Sequence, residues 1–332
     1  MIILGIETSC DETSVGIVDD ELAIRANVIA SQIDLHARTG GVVPEVAARK
    51  HVESIIWTLE EALYSASLRL SDVTAVAVTS THGLLGCLSV GVSFAKALSY
   101  SLQIPLIGVH HIVGHIYGPL LAAKRFPFPH LCLTASGGHT CLVRVNGHHS
   151  YQILGDTLDD AAGEAFDKAA RVLGLPFPGG PIIDNLSRSG DAKAFLFPRP
   201  LMRSKSRQFS FSGLKTDFLR RVRQMGDVEP HLHDLAASFQ EAVIETLVRK
   251  TTDAALVERI DTITLAGGVA ANSRLRIMMS EVAERRRLTV FAPPRSLCTD
   301  NGAMVAAAGL FRLQDGLVSG LDLDAQASGQ LI

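Results

Sequence analysis

One order of predicted secondary-structure elements occurs twice in this chain, about 128 residues apart. Each copy consists of an apolar strand, a polar turn, two further strands and a helix. The turn of the first copy lies at 8–13 and that of the second copy at 136–140. Because few residues are identical between the copies, the repeat is one of architecture and not a short-period solenoid. It predicts an α/β protein with two similar halves and a ligand cleft between them.

The composition excludes several classes of protein. The chain has 332 residues, of which 47% are apolar and 20% charged, as in a well-folded protein of about two domains. Its net charge is −3, so a polyanionic partner has to be held by local basic patches or with a helper protein. No apolar run approaches about 18 residues, and the N-terminus lacks the features of a signal peptide. The five scattered cysteines form no CxxC pair and indicate a reducing cytoplasm.

Two histidines after a predicted buried strand are spaced as metal ligands. If the chain is helical from Ile112 onward, His111 and His115 lie one turn apart on the same face and can hold one metal ion. The alternative is that both are capping or core histidines. A zinc protease is disfavoured, because Ile112 stands where an HExxH motif needs its glutamate. Pro119 is expected to bend or end this helix.

Asp300 follows a strand and two prolines, at the predicted N-cap of the last helix. Helix capping is its ordinary role. Its alternative role is that of a third metal ligand, which completes a His, His, Asp set with open positions for substrate oxygens.

Three glycine turns could bind phosphate through their backbone N–H groups, although glycine pairs also mark ordinary turns. The turns are 136–138, 179–180 and 267–268. The chain contains neither GxGxxG nor a P-loop, which disfavours the Rossmann and P-loop classes.

Three basic stretches are expected to be solvated helix faces, or in one case a contact for an RNA backbone. They are Arg203-Lys205-Arg207, Arg220-Arg221-Arg223 and Arg285-Arg286-Arg287.

Seven stretches, in order and nearly end to end, resemble one family. They are GIETSCDET at 5–13, GGVVPE at 40–45, HHIVGH at 110–115, SGGHT at 136–140, FSGLKT at 211–216, GGVAAN at 267–272 and CTDNGA at 298–303. This pattern is similar to that of the bacterial tRNA N6-adenosine threonylcarbamoyltransferases (TsaD), formerly called O-sialoglycoprotein endopeptidases. The resemblance implies an α/β protein with the actin-like ATPase (ASKHA) fold.

The resemblance also implies domains and a site. We expect an N-terminal domain at 1–110, on which the last helix, about 303–325, packs back, and a C-terminal domain at 111–302 with the nucleotide and metal site. One divalent metal per subunit, iron or alternatively zinc, is expected at His111, His115 and Asp300. The residues expected around the substrate nucleotide are Thr134, Ala135, Ser136, Gly137, Gly138, Asp167, Gly180, Asp184 and Asn272.

The implied reaction passes a threonylcarbamoyl group from threonylcarbamoyl-adenylate to N6 of adenosine 37 in tRNAs that read ANN codons, with release of AMP. Asp11 is the candidate acid/base or orienting carboxylate. The implied partners are tRNA, the paralogue TsaB, the P-loop ATPase TsaE and an upstream threonylcarbamoyl-adenylate synthase, all in the cytoplasm and without a membrane. The alternatives are a small-molecule kinase of the same fold and a non-catalytic module that binds metal or nucleotide.

Overall fold

Two five-stranded sheets organise the chain in the computed structural model, which describes residues 1–125 and 127–331. Contacts divide the chain into two units. Unit 1 contains the chain before Pro127, a short segment His148–Ser150, and the chain from Thr299 onward. Unit 2 contains Pro127–Gly147 and Tyr151–Cys298.

The sheet of unit 1 has the order β3-β2-β1-β4-β5. Its strands are β1 (Ile2–Glu7), β2 (Glu12–Asp19), β3 (Ile24–Ser31), β4 (Ala75–Thr81) and β5 (Leu106–His110). The helices of this unit are α1 (Ile33–Ala37), α2 (Pro44–Ala66), α3 (Leu85–Leu102), α4 (His111–Ala123) and α10 (Gly302–Gln314). β1 pairs antiparallel with β2 and parallel with β4. β1 is therefore a central strand, and its residues from Ile3 to Glu7 are all buried, as in the centre of a mixed α/β sheet.

The sheet of unit 2 has the order β10-β9-β6-β7-β8. Its strands are β6 (His130–Ala135), β7 (Thr140–Gly147), β8 (Ser150–Asp156), β9 (Thr262–Ala266) and β10 (Thr289–Phe291). The helices are α5 (Ala162–Val172), α6 (Gly179–Leu186), α7 (Ser212–Met225), α8 (Leu232–Glu258) and α9 (Ser273–Arg286). β6 pairs antiparallel with β7 and parallel with β9, which matches the pairing of β1 in unit 1. The predicted architectural repeat is thus confirmed at the level of strand order.

The division by contacts differs from the predicted domains at 110/111. α4 belongs to unit 1, because its almost entirely buried surface packs on α10, β4 and β5. The histidines of α4 therefore lie in unit 1 and not in the half that was expected to hold the metal. α10 packs on β1 and β2 of the same unit, as expected for the last helix.

Three further local features complete the fold. α4 continues through Pro119 to Ala123, so Pro119 does not end the helix, because packing of the buried helix outweighs one missing backbone bond. Two helices, α6 and α7, occupy the glycine-rich and basic region between α5 and α8, and the basic stretch Arg220-Arg221-Arg223 lies on α7, as expected for a helix face. The chain after Gly316 lies along the sheet, where Ser319 N donates to Leu106 O at 2.8 Å and Gln326 N donates to Ser80 O at 2.9 Å.

α3 is one helix that is long and apolar enough to cross a membrane by length and composition alone. The core helix of a folded domain passes the same test. α3 packs against β4 and α2, and buries Cys87, Leu88 and Val92 there. These contacts are those of a core helix.

Candidate functional site

The two histidines are placed by the junction of β5 and α4. α4 begins at His111, directly after the strand, and the Nδ1 atom of His110 accepts a hydrogen bond from Ile112 N at 3.1 Å. This cap fixes the first turn of the helix. The rings of His111 and His115 lie 4.6 Å apart between centroids, with an interplanar angle of 80°. The predicted placement of both rings on one helix face is confirmed.

Asp300 reaches these histidines because the start of α10 lies directly on β1 and β2. A Cβ at Gly5 would overlap the carbonyl oxygen of Gly302, and a Cβ at Gly16 would overlap the backbone of Ala303. Only glycine permits this approach of helix backbone to strand backbone. Gly302 N also donates to Ser14 Oγ at 2.8 Å. The loop before α10 is therefore held at the end of the sheet.

Asp300 Oδ1 lies 3.1 Å from His115 Nε2 and 3.6 Å from His111 Nε2. Asp300 was expected at the N-cap of α10, but the cap is Asn301, whose side chain accepts a hydrogen bond from Met304 N at 3.0 Å. The neighbouring Asn301 satisfies the helix end, and the Asp300 carboxylate is turned toward the imidazoles. Of its two possible roles, the contacts favour that of a ligand.

The three side chains fit a divalent metal ion. One ligand atom of each lies within 4.8 Å of the others. His115 is 1% exposed, and within residues 1–125 and 127–331 its Nδ1 makes no hydrogen bond, while its Nε2 faces the Asp300 carboxylate without forming a hydrogen bond to it. A cation coordinated between Nε2 and that carboxylate would satisfy both groups, whereas an unsatisfied buried polar atom costs about 1–3 kcal/mol. Two imidazoles and one carboxylate suit iron or zinc better than magnesium or calcium.

Glu7, at the end of β1, orients the first of these histidines. Its side chain is 0% exposed, and its Oε2 lies 3.2 Å from His111 Nδ1 and accepts from Thr79 Oγ1 at 2.7 Å. Its Oε1 accepts from Ser9 N. With the His111 proton on Nδ1 and facing this carboxylate, the Nε2 lone pair faces Asp300 and the metal position.

The neighbouring carboxylates also set the charge of His111. Burial opposes a charge on this ring, but the Asp300 and Glu7 carboxylates outweigh it and raise the pKa of His111 to about 9, so a metal ion would have to displace the proton from Nε2. Burial alone would raise the pKa of Glu7, yet the charge of His111 and its hydrogen bond lower it. The role of Glu7 toward His111 was not predicted from the sequence. The feature that could have indicated it is a single carboxylate at the end of an otherwise apolar strand.

Asp11, the candidate acid/base, lies in the turn between β1 and β2. Burial, and then the charge of Asp300, raise its pKa. Burial likewise raises the pKa of its neighbour Glu12 to about 8. Several carboxyl groups thus share one region of unit 1, an arrangement that a cation stabilises.

Backbone contacts hold the Asp11 turn. Gln32 N donates to Asp11 O at 3.1 Å, and the buried His51 ring places Nε2 2.9 Å from Cys10 O. Thr13 Oγ1 lies 2.7 Å from His51 Nδ1. His51 therefore bridges both sides of Asp11 from helix α2.

The glycine turns expected to bind phosphate all lie in unit 2. The turn 136–138 joins β6 to β7, 179–180 begins α6, and 267–268 follows β9. A Cβ at Gly137, Gly138, Gly180 or Gly268 would meet nothing within 4 Å, so these backbones border open space. Gly267 differs, because its φ is 83° and a Cβ there would overlap the Ala135 carbonyl.

The other residues expected around the nucleotide surround the same strand ends. Asp167 accepts a hydrogen bond from Gly179 N at 2.7 Å, and Asp184 accepts one from Ser273 Oγ at 2.6 Å. Asn272 caps α9 and donates to Gln240 at 2.6 Å. Thr134 and Ala135 end β6 and are buried, and Ser136 Oγ accepts from His139 N at 3.2 Å. Their role toward a ligand stays a prediction.

The class of protein follows from solved structures. Component A of (R)-2-hydroxyglutaryl-CoA dehydratase from Acidaminococcus fermentans aligns with a TM-score of 0.56 and 15% identity, over 95% of this chain and 98% of that one. HypF from T. kodakarensis aligns with a TM-score of 0.61 and 15% identity, over 97% of this chain and 49% of that one. Together with the two sheets, these neighbours define the actin-like ATPase fold.

The family follows from sequence. The profile of the family "TsaD: tRNA N6-adenosine threonylcarbamoyltransferase" matches residues 23–307. The transferase of that name from Syntrophotalea carbinolica is 51% identical over 100% of this chain and 97% of that protein. The one from Moorella thermoacetica is 54% identical over 93% of this chain and 91% of that protein. The chain belongs to the TsaD family of transferases.

Proposed function

We propose that this protein transfers the threonylcarbamoyl group of threonylcarbamoyl-adenylate to N6 of adenosine 37 in tRNAs that read ANN codons, and releases AMP. The observation that carries the proposal is the convergence of His111, His115 and Asp300 in a chain about half identical to enzymes of that name. In this reaction the exocyclic amine attacks the carbamoyl carbon, the bond from that carbon to the phosphate oxygen breaks, and the amine loses a proton.

The residues of unit 1 would hold the metal, which we propose to be iron, with zinc as the alternative. When bound, a divalent cation offsets negative charge on phosphate or carbonyl oxygens. Glu7 keeps the Nε2 atom of His111 directed at that position. An adenine amine is a poor nucleophile, so orientation supplies much of the rate. Asp11, whose pKa is raised by burial, is the proposed group that orients the amine or receives its proton.

The residues of unit 2 would hold the adenylate. The open backbones at Gly137, Gly138, Gly180 and Gly268 let a phosphate approach the chain closely. Asn272, at the start of α9, places a helix N-terminus beside the same strand ends. The target base lies in an RNA loop, where it can be turned out and bound without opening a duplex. A small-molecule kinase of this fold has no use for the buried histidine pair, so the transferase is favoured over it.

An apolar groove on unit 1 is suited to contact with a protein partner. Helices α2 and α3 enclose an apolar groove of about 580 Å³, lined by side chains that include Ile55, Val90 and Phe94. Val52 and Ile56 beside it are 60% and 58% exposed. Exposed apolar grooves of this kind are typical of protein contacts. We propose that the paralogue TsaB docks here, with TsaE and the upstream synthase acting in the same cytoplasmic pathway.

The test reconstitutes the reaction from purified protein, partners, threonylcarbamoyl-adenylate and unmodified tRNA, with nucleoside mass spectrometry as the assay. His115→Ala and Asp300→Ala should each lose bound metal and transferase activity. His231→Ala, which removes an exposed histidine at the start of α8, should change neither. Full activity in both ligand variants would contradict the assignment of the site, and an inactive wild-type mixture would contradict the reaction.

A further inference from the structure

A surface segment of unit 2 is held in place by a buried lysine. Lys250 on α8 is 7% exposed, and its Nζ donates to Leu201 O at 3.0 Å and to Ser206 O at 2.8 Å. Two charge-assisted bonds therefore fix both ends of the segment 201–206. Arg203 and Lys205, between those ends, are exposed, and neither makes an ion pair within the part of the chain that the structure describes. The fold thus presents two uncompensated cations on a fixed support.

A groove adjoins this segment. It has a volume of about 610 Å³ and is lined by Arg199, Arg203 and Arg249 together with apolar side chains that include Leu196 and Met202. Guanidinium groups bind phosphate in a two-pronged geometry, and Glu245, which also lines the groove, is ion-paired with Arg199. The lining therefore carries an excess of cations, as the binding of a nucleic acid backbone requires.

The charge around the groove is strongly positive, although the whole chain carries −3. The charged side chains of segment 199–207, those of α8 from Glu245 to Glu258, and those ion-paired with them form what we call the α8 basic cluster. Its bases are Arg144, Arg199, Arg203, Lys205, Arg207, Arg249, Lys250 and Arg286. Its acids are Glu245, Asp253 and Glu258.

The acids in the cluster organise the bases without neutralising them. Glu258 lies 2.8 Å from Arg144 and 2.5 Å from Arg207. Asp253 is shared in the same way by Arg286, at 2.5 Å, and Arg249, at 3.9 Å. One carboxylate between two guanidinium groups fixes their positions and leaves a net positive charge. On α7, Asp217 pairs in the same way with both Arg220 and Arg221, and this helix provides a comparison surface of similar charge.

We propose that the α8 basic cluster binds the phosphate backbone of the tRNA substrate, with Arg203 and Lys205 as its leading contacts. The proposal rests on the proposed function, since it takes tRNA as the substrate. A chain with net negative charge can hold a polyanion only through such a local excess of cations. Because Arg203 and Lys205 are exposed, their substitution leaves the core of unit 2 unchanged.

The test compares two variants with the same change in charge. Arg203→Glu/Lys205→Glu alters the cluster, and Arg220→Glu/Arg223→Glu alters α7. With the metal-loaded protein and its partners, we expect the first variant to weaken tRNA binding by at least about tenfold. The slope of log affinity against log salt concentration should also become less negative by about one to two, because each lost phosphate contact removes about 0.7–0.9 from the slope. The rate at saturating tRNA and the affinity for AMP should match wild type.

The outcomes separate this proposal from the proposed function. If wild type modifies tRNA and the first variant binds it with unchanged affinity and salt dependence, the cluster does not bind RNA. An equal loss in both variants would also overturn the assignment, since it would reflect total charge alone. If the first variant keeps its tRNA affinity and loses a protein partner, the surface serves that partner instead. A wild-type protein that modifies no tRNA would fail the proposed function, whatever the variants bind.

Discussion

Replacement of the Glu7 carboxylate should weaken the metal site without touching a ligand. Glu7→Gln keeps the size of the side chain, and its amide oxygen can still accept from Ser9 N. Thr79 can rotate its hydroxyl to accept from the new amide. His111 has no such freedom, because an amide NH₂ cannot accept the Nδ1 proton. The imidazole is then driven toward the tautomer with its proton on Nε2, the atom that faces the metal position.

The size of the effect follows from the contacts of His111 Nδ1. Loss of the carboxylate that orients a metal-binding histidine lowers metal affinity by roughly 10–100-fold. That range corresponds to about 1.4–2.7 kcal/mol. Ser9 Oγ lies 3.1 Å from the same Nδ1 and can replace part of the lost interaction. We therefore expect about a tenfold loss for Glu7→Gln, and a loss near the upper end for Glu7→Gln/Ser9→Ala.

The assay is competition for a divalent metal between the metal-free protein and a chromophoric chelator. Asp19→Asn is the matched control, because Asp19 is also a buried carboxylate at a strand end of unit 1 but bonds Ala23 N and Arg25. The control should lose stability and keep its metal affinity. Unchanged affinity in both Glu7 variants would refute the reasoning that the carboxylate sets the tautomer.

Three further changes have distinct expected results. Gly267→Ala should lower the free energy of unfolding in urea by about 1–3 kcal/mol, because φ is 83° and the new Cβ meets the Ala135 carbonyl. Gly268→Ala is its control and should be nearly neutral, because a Cβ there meets nothing within 4 Å. Burial alone would raise the pKa of Asp160, but Lys168 and Lys215 lower it. The Asp160 carboxylate therefore stabilises the folded protein above its unfolded pKa, and this stabilisation is lost as the pH falls below about 4. The stability difference between wild type and Asp160→Asn should therefore narrow between pH 7 and pH 3. His51→Ala should reduce the rate at saturating substrates more than it raises KM, because it releases the turn that holds Asp11. An unchanged rate would show that His51 does not position Asp11.

Sequence periodicity was sufficient to predict the repeated order of elements along the chain and the histidine pair. Strands β1 and β6 are short, apolar and bounded by polar turns, so both copies of the repeat could be found without any contact information. Helical spacing placed His111 and His115 on one face because that distance is local. Asp300 could be proposed from its motif, but its distance from the rings depends on glycine contacts between α10 and the sheet.

Other features depend on contacts that no local pattern contains. Glu7 acts through His111, which is remote in sequence, so its role becomes visible only in three dimensions. The bounds of α7 were not predicted, because its buried residues Leu214, Phe218 and Val222 are separated by basic side chains, although their spacing is helical. The segment after Gly316 contains glycine and aspartate and has no strand pattern, yet backbone pairing with Leu106 at the sheet edge holds it.

The first and last segments of the chain share unit 1, and this arrangement has a consequence for how the protein is made. On the ribosome, His111 and His115 emerge before unit 2, whereas Asp300 and the helix that covers β1 and β2 emerge after it. Unit 2 is therefore complete in the nascent chain before unit 1 can close. A chain that stops before Asp300 carries the two histidines of the group without its carboxylate.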